Sequence, residues 1–284
     1  MAKGGITIGI VAPACRIEPT VAESVTALAA RLFPERPPAL RFHPQCYLSA
    51  GHFAGTDEER ASALIATAND PAIDAVWFAR GGYGSCRIAE RVLPALNAAA
   101  RQKTYLGYSD TGTLLGGLYG AGFAKIAHGP MPSDIRRENG AAAVTRSLQF
   151  LVAGSDAGME RSVTPATPTA AFNITILSHL IGTPLEPDLA GHVLMLEEIS
   201  EAMYRIDRSL GHITAAPGIR RLAGLRLGRC NSITPNTPDF AEDEETVARR
   251  WCKLAGIPYL GRADIGHDVE NKIVPFGRWR PEAR

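Results

Sequence analysis

Short apolar segments alternate with segments of helical periodicity through the first half of the chain, with one such pair about every thirty residues. The predicted strands are residues 6–11, 40–44, 75–79, 103–108 and 123–128, and the predicted helices are 21–33, 56–68, a segment after 109, and 141–152. Strands that alternate with helices pair in parallel through right-handed crossovers. The pattern therefore predicts an α/β fold with a parallel, flavodoxin/Rossmann-like sheet.

The composition changes after this alternating part. Residues 153–169 are rich in Gly, Ser, Thr, Ala and Pro, which is typical of a linker. Beyond them, short strands at 193–196 and 222–227 and a helix at 242–255 follow each other less regularly. We predict an N-terminal α/β domain at 1–155, a linker at 156–172, and a smaller, β-rich (α+β) C-terminal domain at 173–284.

The charges of the chain are almost balanced, with 30 Lys and Arg against 29 Asp and Glu. Such a balance gives no general attraction to nucleic acid or to an anionic membrane, and no apolar run has the length of a membrane span. We therefore expect no nucleic acid and no membrane as partner. Only Lys3 supplies positive charge before the short apolar run at 6–11, which argues against a leader, and this run is predicted to be the first buried strand.

The five cysteines are odd in number and scattered, and no C-x-x-C pair occurs among them. This argues against a disulfide framework and a structural zinc site, and a reducing cytoplasm is the expected location. No pair of histidines has the spacing of a helical metal site. We expect neither a metal nor a cofactor.

Ser109 stands at a predicted strand–turn–helix junction, in the segment Gly107-Tyr-Ser-Asp110. Such a junction exposes a hydroxyl at the carboxyl end of a strand and points the free N–H groups of a helix start beside it. Gly107 matches the first glycine of a G-x-S-x-G elbow, but Thr111 occupies the position of the second. A plain N-cap serine is the competing interpretation of this segment.

A cluster of glycines, Arg80-Gly-Gly-Tyr-Gly-Ser85, follows the predicted strand at 75–79. Glycines allow positive φ and a close backbone approach, so their N–H groups can form a nest for an anion. The cluster matches neither a Walker A loop nor a dinucleotide fingerprint. A tight turn is the alternative, although both this loop and Ser109 follow strands and are expected at one sheet edge.

Two acids and two histidines are candidate partners for Ser109. Glu197 and Glu198 end an apolar strand, and because neighbours on a strand point to opposite faces, only one can face a given cleft. His267 lies in a glycine-bearing loop, where catalytic groups concentrate, and His128 is a weaker candidate of the same kind. Simple exposure to solvent is the alternative for each of them.

Taken in chain order, these segments resemble the LD-carboxypeptidase family of serine peptidases, which includes murein tetrapeptide carboxypeptidases and microcin C immunity hydrolases. The resemblance covers nearly the whole chain. The matching segments are Phe53-Ala-Gly-Thr-Asp-Glu-Glu-Arg60, Ala79-Arg-Gly-Gly-Tyr-Gly84, Gly107-Tyr-Ser-Asp110, His128-Gly-Pro-Met131, Leu196-Glu-Glu-Ile199, Tyr204-Arg-Ile-Asp-Arg208 and Gly266-His267.

The resemblance implies a Ser–Glu–His triad between two domains. Ser109 would be the nucleophile, His267 the general base and Glu197 the acid that orients it. The backbone N–H groups of Gly82 and Asp110 would form the oxyanion hole.

Substrate binding is expected at the glycine loop, from Arg80, Gly81 and Tyr83. A cation or nest there would recognise a terminal carboxylate, because the chain has no large excess of charge elsewhere. The alternative for Arg80 is a pairing with an acid that only shapes the turn.

The implied function is release of a terminal D-amino acid, D-alanine above all, from a murein tetrapeptide in cell-wall recycling. The substrate would be a small peptide, and a homodimer is left open as the assembly. One alternative is an immunity-type hydrolase of aminoacyl-nucleotide amides, for which Phe172 and Trp77 could supply an aromatic platform. Phe172 also departs from the Gly-Gly-Asn of the family and is expected to reshape the pocket. A non-catalytic small-molecule binding protein is the third alternative.

Overall fold

The computed structural model of the chain describes residues 5–280, which contain two β-sheets. The strands are β1 (Thr7–Val11), β2 (Ala39–Phe42), β3 (Ala75–Phe78), β4 (Thr104–Gly107), β5 (Ile126–His128), β6 (Thr169–Asn173), β7 (Val193–Ile199), β8 (Gly224–Asn231), β9 (Tyr259–Arg262) and β10 (Val274–Pro275). The helices are α1 (Pro19–Leu32), α2 (Asp57–Asn69), α3 (Cys86–Val92), α4 (Gly112–Gly120), α5 (Gly140–Ala153), α6 (Ile174–Leu180), α7 (Met203–Ala215) and α8 (Glu244–Ala255).

The first sheet has six strands in the order β10-β5-β4-β3-β1-β2. All neighbours pair in parallel except β10, which runs antiparallel to β5. The strands β1, β3 and β4 are short and almost wholly buried, as expected for a sheet covered by helices on both faces. The carboxyl ends of β3 and β4 are adjacent, and the loops that follow them therefore meet at one edge.

The second sheet has four parallel strands in the order β6-β7-β8-β9. The helices α6, α7 and α8 each connect one of these strands to the next. The predicted α/β fold class is confirmed. The C-terminal part alternates strand and helix more regularly than its sequence pattern indicated. This alternation was missed because α6 has only seven residues and because α7 was not predicted from the sequence.

The predicted linker at 156–172 is wrong in its last four residues. Residues 169–173 form β6, and every one of them is buried. Small residues such as Ala170 and Ala171 resemble a linker in composition, but here they allow a strand to pack closely. The earlier part of the segment is tied to the end of the chain, since the backbone of Ile273 hydrogen-bonds with both Gly158 and Glu160.

The two sheets share a core. One cluster of buried apolar side chains continues from the first sheet through α4 and α6 to the second, and includes Val76, Leu114, Leu177 and Leu194. In addition, β10 crosses back from the C-terminal part to complete the first sheet. Among residues 5–280, no helix combines the length and the apolar character needed to cross a bilayer.

A capping box begins α2, where the sequence places a threonine three residues before a glutamate. Thr56 accepts a hydrogen bond from the backbone N–H of Glu59, and the Glu59 carboxylate accepts one from the N–H of Thr56. This pair satisfies N–H groups that the first helical turn would otherwise leave free. The capping box thereby fixes the start of the helix that carries the buried Arg60.

Candidate active site

Ser109 follows β4 after one residue and adopts φ = 60°, in the left-handed region that non-glycine residues rarely occupy. Its side chain does not cap the helix that follows, which removes the plain N-cap interpretation. Thr111 Oγ1 donates to the carbonyl of Tyr108 at 2.8 Å, and a Cβ on Gly107 would come within 2.5 Å of Thr111 Oγ1. The strained turn of a nucleophile elbow is therefore present, with Gly107 making room for Thr111.

The glycine loop after β3 lies directly against Ser109. A Cβ placed on Gly81 would be 2.9 Å from Ser109 Oγ, and Gly82 has φ = 113°. Within residues 5–280, the backbone N–H groups of Gly81, Gly82 and Tyr83 donate to no other group. The loop thus brings free donors next to the hydroxyl, which a tight turn alone would not require.

His267, in the loop after β9, and Glu197, on β7, form a buried pair. The Nδ1–H of His267 donates to Oε2 of Glu197, a carboxylate with no exposed surface. Because a carboxylate only accepts, the neutral imidazole carries its proton on Nδ1 and leaves Nε2 as the basic nitrogen. Nε2 is buried and makes no hydrogen bond to any described residue.

Two local features orient this pair. The pairing of β7 with β8 shifts register between Leu196 and Glu198, and such irregularities redirect a side chain. Position 228 also favours glycine, because a Cβ there would be 2.7 Å from the backbone oxygen of Ile265 and 3.1 Å from the Cβ of Glu197. The backbone N–H of His267 is held at 2.8 Å by Oδ1 of Asn231, at the end of β8.

Tyr108 connects Ser109 to His267. It is the residue before Ser109, and its ring centroid lies 4.9 Å from that of His267. Its hydroxyl donates to Asp134 at 2.8 Å, and Arg137 Nε donates to the same carboxylate. Burial, together with the charge of Asp134, raises the pKa of Tyr108 well above its ordinary value, so the ring is a neutral wall of the site.

Glu198 points away from His267. Its carboxylate accepts hydrogen bonds from the backbone N–H of Thr175 at 2.9 Å, from Thr175 Oγ1 at 2.7 Å, and from Asn173 Nδ2. It therefore holds the start of α6 instead of a reacting group. Burial raises the pKa of Glu198, and the hydrogen bonds that it accepts oppose that shift.

Comparison with known proteins places this geometry in a family. Residues 8–129 match the model of the LD-carboxypeptidase N-terminal domain, and residues 168–280 match that of the LD-carboxypeptidase C-terminal domain. A protein of Synechocystis sp., whose name assigns it to the carboxypeptidases, is 32% identical over 238 residues, covering 80% of this chain and 75% of that protein. The chain belongs to the LD-carboxypeptidase family.

One further relative and one solved structure show how far the likeness extends. The murein tetrapeptide carboxypeptidase of Pseudomonas aeruginosa is 28% identical over 249 residues, which cover 80% of this chain and 78% of that protein. The solved structure of the microcin C7 self immunity protein MccF, in complex with aspartyl sulfamoyl adenosine, superposes with a TM-score of 0.77 at 17% identity, covering 97% and 92% of the two chains. The second match shows a shared fold.

Three other candidate residues of this LD-carboxypeptidase family member, His128, Trp77 and Phe172, are buried. His128 is buried, bonds through Nε2 to Asn271 Oδ1 at 3.2 Å, and has its pKa lowered by burial to about 4. It therefore stays neutral and acts as a structural donor. Trp77 and Phe172 are both buried, Trp77 donating to the carbonyl of Pro130, so neither supplies the aromatic platform considered from the sequence.

Arg80 and Tyr83 remain on the open side of the glycine loop. Arg80 donates to the carbonyl of Arg16 at 3.1 Å and pairs with no acid among residues 5–280, which removes the expected structural alternative for it. Tyr83 is half exposed. Nowhere in residues 5–280 do three or more His, Cys, Asp or Glu side chains gather in a group that could hold a metal ion.

Several supporting residues could not be found from the sequence. Tyr108 stood out only as a neighbour of Ser109, Asn271 only as a member of the His267 loop, and Asp134 and Asn231 lie in segments that the site prediction did not include. Their side chains act through contacts between distant parts of the chain. The one available signal was the segment from His128 to Met131 in the family resemblance, which leads directly into Asp134.

The different surroundings of the two glutamates predict different effects of amide substitution. We expect Glu197→Gln to lower kcat by orders of magnitude, because the amide no longer fixes and stabilises the imidazole. We expect Glu198→Gln to lower kcat only mildly but to destabilise the fold by about 1–3 kcal/mol, because buried donors lose their acceptor. Steady-state kinetics and urea unfolding of both variants provide the test, and the reverse ranking in kcat would contradict it.

The surroundings of His267 predict its titration. Burial alone would lower the pKa of His267, but the charge of Glu197 and the hydrogen bond to it outweigh burial and raise that pKa. As the base must be neutral, kcat/KM should fall as the pH drops through a pKa above the ordinary histidine value.

In Glu197→Gln the effect of burial is opposed only by the charges of Glu198 and Asp134, and the pKa of His267 should move to the acid side. NMR titration of the imidazole in wild type and variant measures this directly. Glu198→Gln serves as the control, with a smaller shift because Glu198 does not bond the ring. An unmoved pKa in Glu197→Gln would show that the carboxylate does not set the basicity of His267.

Proposed function

We propose that this protein is a serine LD-carboxypeptidase whose triad consists of Ser109, His267 and Glu197. The observation that carries the proposal is the imidazole of His267, held at Nδ1 by a buried carboxylate and free at Nε2, beside the residue that precedes a strained serine. A serine hydroxyl becomes an effective nucleophile only when a base takes its proton. The family membership supports a hydrolase of this type.

The chemistry follows from these positions. Ser109 Oγ attacks the scissile carbonyl while His267 Nε2 takes its proton, and Glu197 stabilises the imidazolium that forms. The backbone N–H groups of Gly82 and Asp110 stabilise the oxyanion of the tetrahedral intermediate. His267 then returns the proton to the leaving amine, and water hydrolyses the acyl-enzyme by the same steps in reverse order.

The substrate we propose is a murein tetrapeptide, which loses its terminal D-alanine during cell-wall recycling in the cytoplasm. The name of the Pseudomonas relative supports this substrate. The glycine loop supports it as well, because its free N–H groups and Arg80, which pairs with no acid among residues 5–280, suit a terminal carboxylate.

A second candidate function is hydrolysis of an aminoacyl-nucleotide amide by the same three residues. The shared fold with MccF favours it. Since Trp77 and Phe172 are buried, a base would have to stack on an exposed ring such as that of Tyr83 beside the glycine loop. The two functions differ in the acyl donor and not in the proposed triad.

Turnover of two substrates by single and double variants tests the proposed function. We expect wild type to release D-alanine from a murein tetrapeptide, and Ser109→Ala, His267→Ala and the double variant to lose nearly all turnover to similar extents, since a triad acts as a unit. Ser62→Ala, an exposed serine on α2, is the control. Selective cleavage of an aminoacyl sulfamoyl adenosine would favour the second function. Absence of labelling of Ser109 by a serine-directed probe would indicate a binding protein.

Recognition of the terminal carboxylate gives a further prediction. We expect amidation of the terminal D-alanine to reduce kcat/KM strongly, because buried or oriented donors then lose their anionic partner. Arg80→Ala should reduce the ratio of kcat/KM for the free peptide to kcat/KM for the amidated peptide. Arg101→Ala, another exposed arginine that bonds a backbone carbonyl, should leave it unchanged. Equal cleavage of both peptides by wild type would contradict carboxylate recognition.

A further inference from the structure

The side chain of Asp110 is a buried carboxylate next to the proposed nucleophile, and the triad does not use it. It accepts a hydrogen bond from the backbone N–H of Ser85 at 2.9 Å and one from that of Gly84 at 3.3 Å. Both donors belong to the end of the glycine loop. The carboxylate therefore ties this loop to the residue whose own N–H is proposed to complete the oxyanion hole.

The rest of the loop is fixed by other bonds. A fully buried guanidinium, Arg60, donates to the carbonyl of Gly84 at 2.8 Å and also to that of Pro13. The backbone N–H of Cys15 donates to the carbonyl of Gly81 at 3.3 Å. The loop is thus held at Gly81 and Gly84, while the N–H groups between these fixed points are free.

A negative charge at this position has an electrostatic cost for the reaction. Asp110 lies one residue from Ser109, where an oxyanion develops in the transition state, and like charges repel. A neutral residue would avoid that repulsion. The presence of a buried carboxylate is therefore accounted for by the geometry that it enforces on the loop.

We propose that the Asp110 carboxylate is a positioning residue that sets the distance between the two donors of the oxyanion hole. One donor is the N–H of Asp110 itself and the other is in the glycine loop, two residues before Gly84. The carboxylate joins the two halves across the β3 and β4 loops. This inference rests on the proposed function, since it assumes an oxyanion at Ser109.

The amide of Asn at this position would disturb the arrangement without removing much volume. Its single oxygen can accept one of the two N–H groups, and its NH₂ group would face the other donor. We expect Asp110→Asn to lower kcat/KM by about 10- to 100-fold, less than the 10²- to 10³-fold typical of losing an oxyanion donor outright. The loss should lie in kcat and not in KM.

The decisive measurement compares a transition-state mimic with the ground state. A peptide boronic acid forms a tetrahedral adduct on the serine and occupies the oxyanion hole, so its affinity should fall by the same factor as kcat/KM. Binding of intact tetrapeptide, measured in the Ser109→Ala background, should be unchanged by Asp110→Asn. Loss of both affinities together, or of neither, would overturn the proposal.

Two further variants separate positioning from general stability. Asp74→Asn is the matched control, because Asp74 also accepts a backbone N–H, that of Thr7 at 2.8 Å, but lies before β3, at the opposite edge of the sheet. It should leave kcat/KM and boronate affinity unchanged. Ser85→Pro removes one N–H that Asp110 accepts and keeps the carboxylate, and the φ of −60° at Ser85 suits proline.

We expect Ser85→Pro to lower kcat/KM and boronate affinity in parallel, and it decides the question if Asp110→Asn does not fold. Unchanged boronate affinity in a folded Ser85→Pro protein would overturn the positioning role. A wild type that neither cleaves the tetrapeptide nor binds the boronate would overturn the proposed function, and this inference with it. Turnover by wild type with an unaffected Asp110→Asn would overturn this inference alone.

Discussion

The hydrogen bond between Glu197 and His267 joins a strand of the second sheet to a loop beyond it, and both partners are withdrawn from water. A buried carboxylate is costly unless it is paired, and His267 is the partner that it finds. Oε1 of Glu197 has no partner among residues 5–280, so the pairing is made through one oxygen only. The register shift in β7 and the glycine at 228 follow from the need to accommodate this pair in a packed strand.

The site also depends on the alignment of two sheets. Ser109 and the glycine loop lie at the edge of the first sheet, whereas Glu197 and His267 come from the second. One set of contacts spans them: His128 on β5 bonds Asn271, whose Oδ1 also accepts the backbone N–H of Gly266, the residue before His267. A displacement of about 1 Å between reacting groups lowers reaction rates strongly. Contacts that bridge the two sheets therefore help to keep the candidate catalytic side chains at the required distances.

Sequence patterns predicted the parts of the structure that depend on local chemistry. The strand before Ser109, the glycine loop after β3 and the capping box of α2 each follow from a few adjacent residues. The strand pattern predicted only that Glu197 and Glu198 point to opposite faces of the sheet. It could not tell which of the two faces His267, because period-two alternation does not say which face holds a histidine. The strand at 169–173 was missed because its alanines lack the β-branched residues that mark strands, and its burial comes from distant partners.

The return of β10 to the first sheet has a consequence for folding during protein synthesis. The partner of β5 is separated from it by well over a hundred residues, and contacts so distant in sequence form late in folding. During synthesis the first five strands emerge from the ribosome long before β10, with the outer edge of β5 still uncovered. Ser109 is therefore synthesised well before His267. The pairing of β10 with β5 completes the first sheet only after His267 has been added to the chain. Under the proposed triad, activity on the ribosome would begin only after both His267 and β10 have been synthesised.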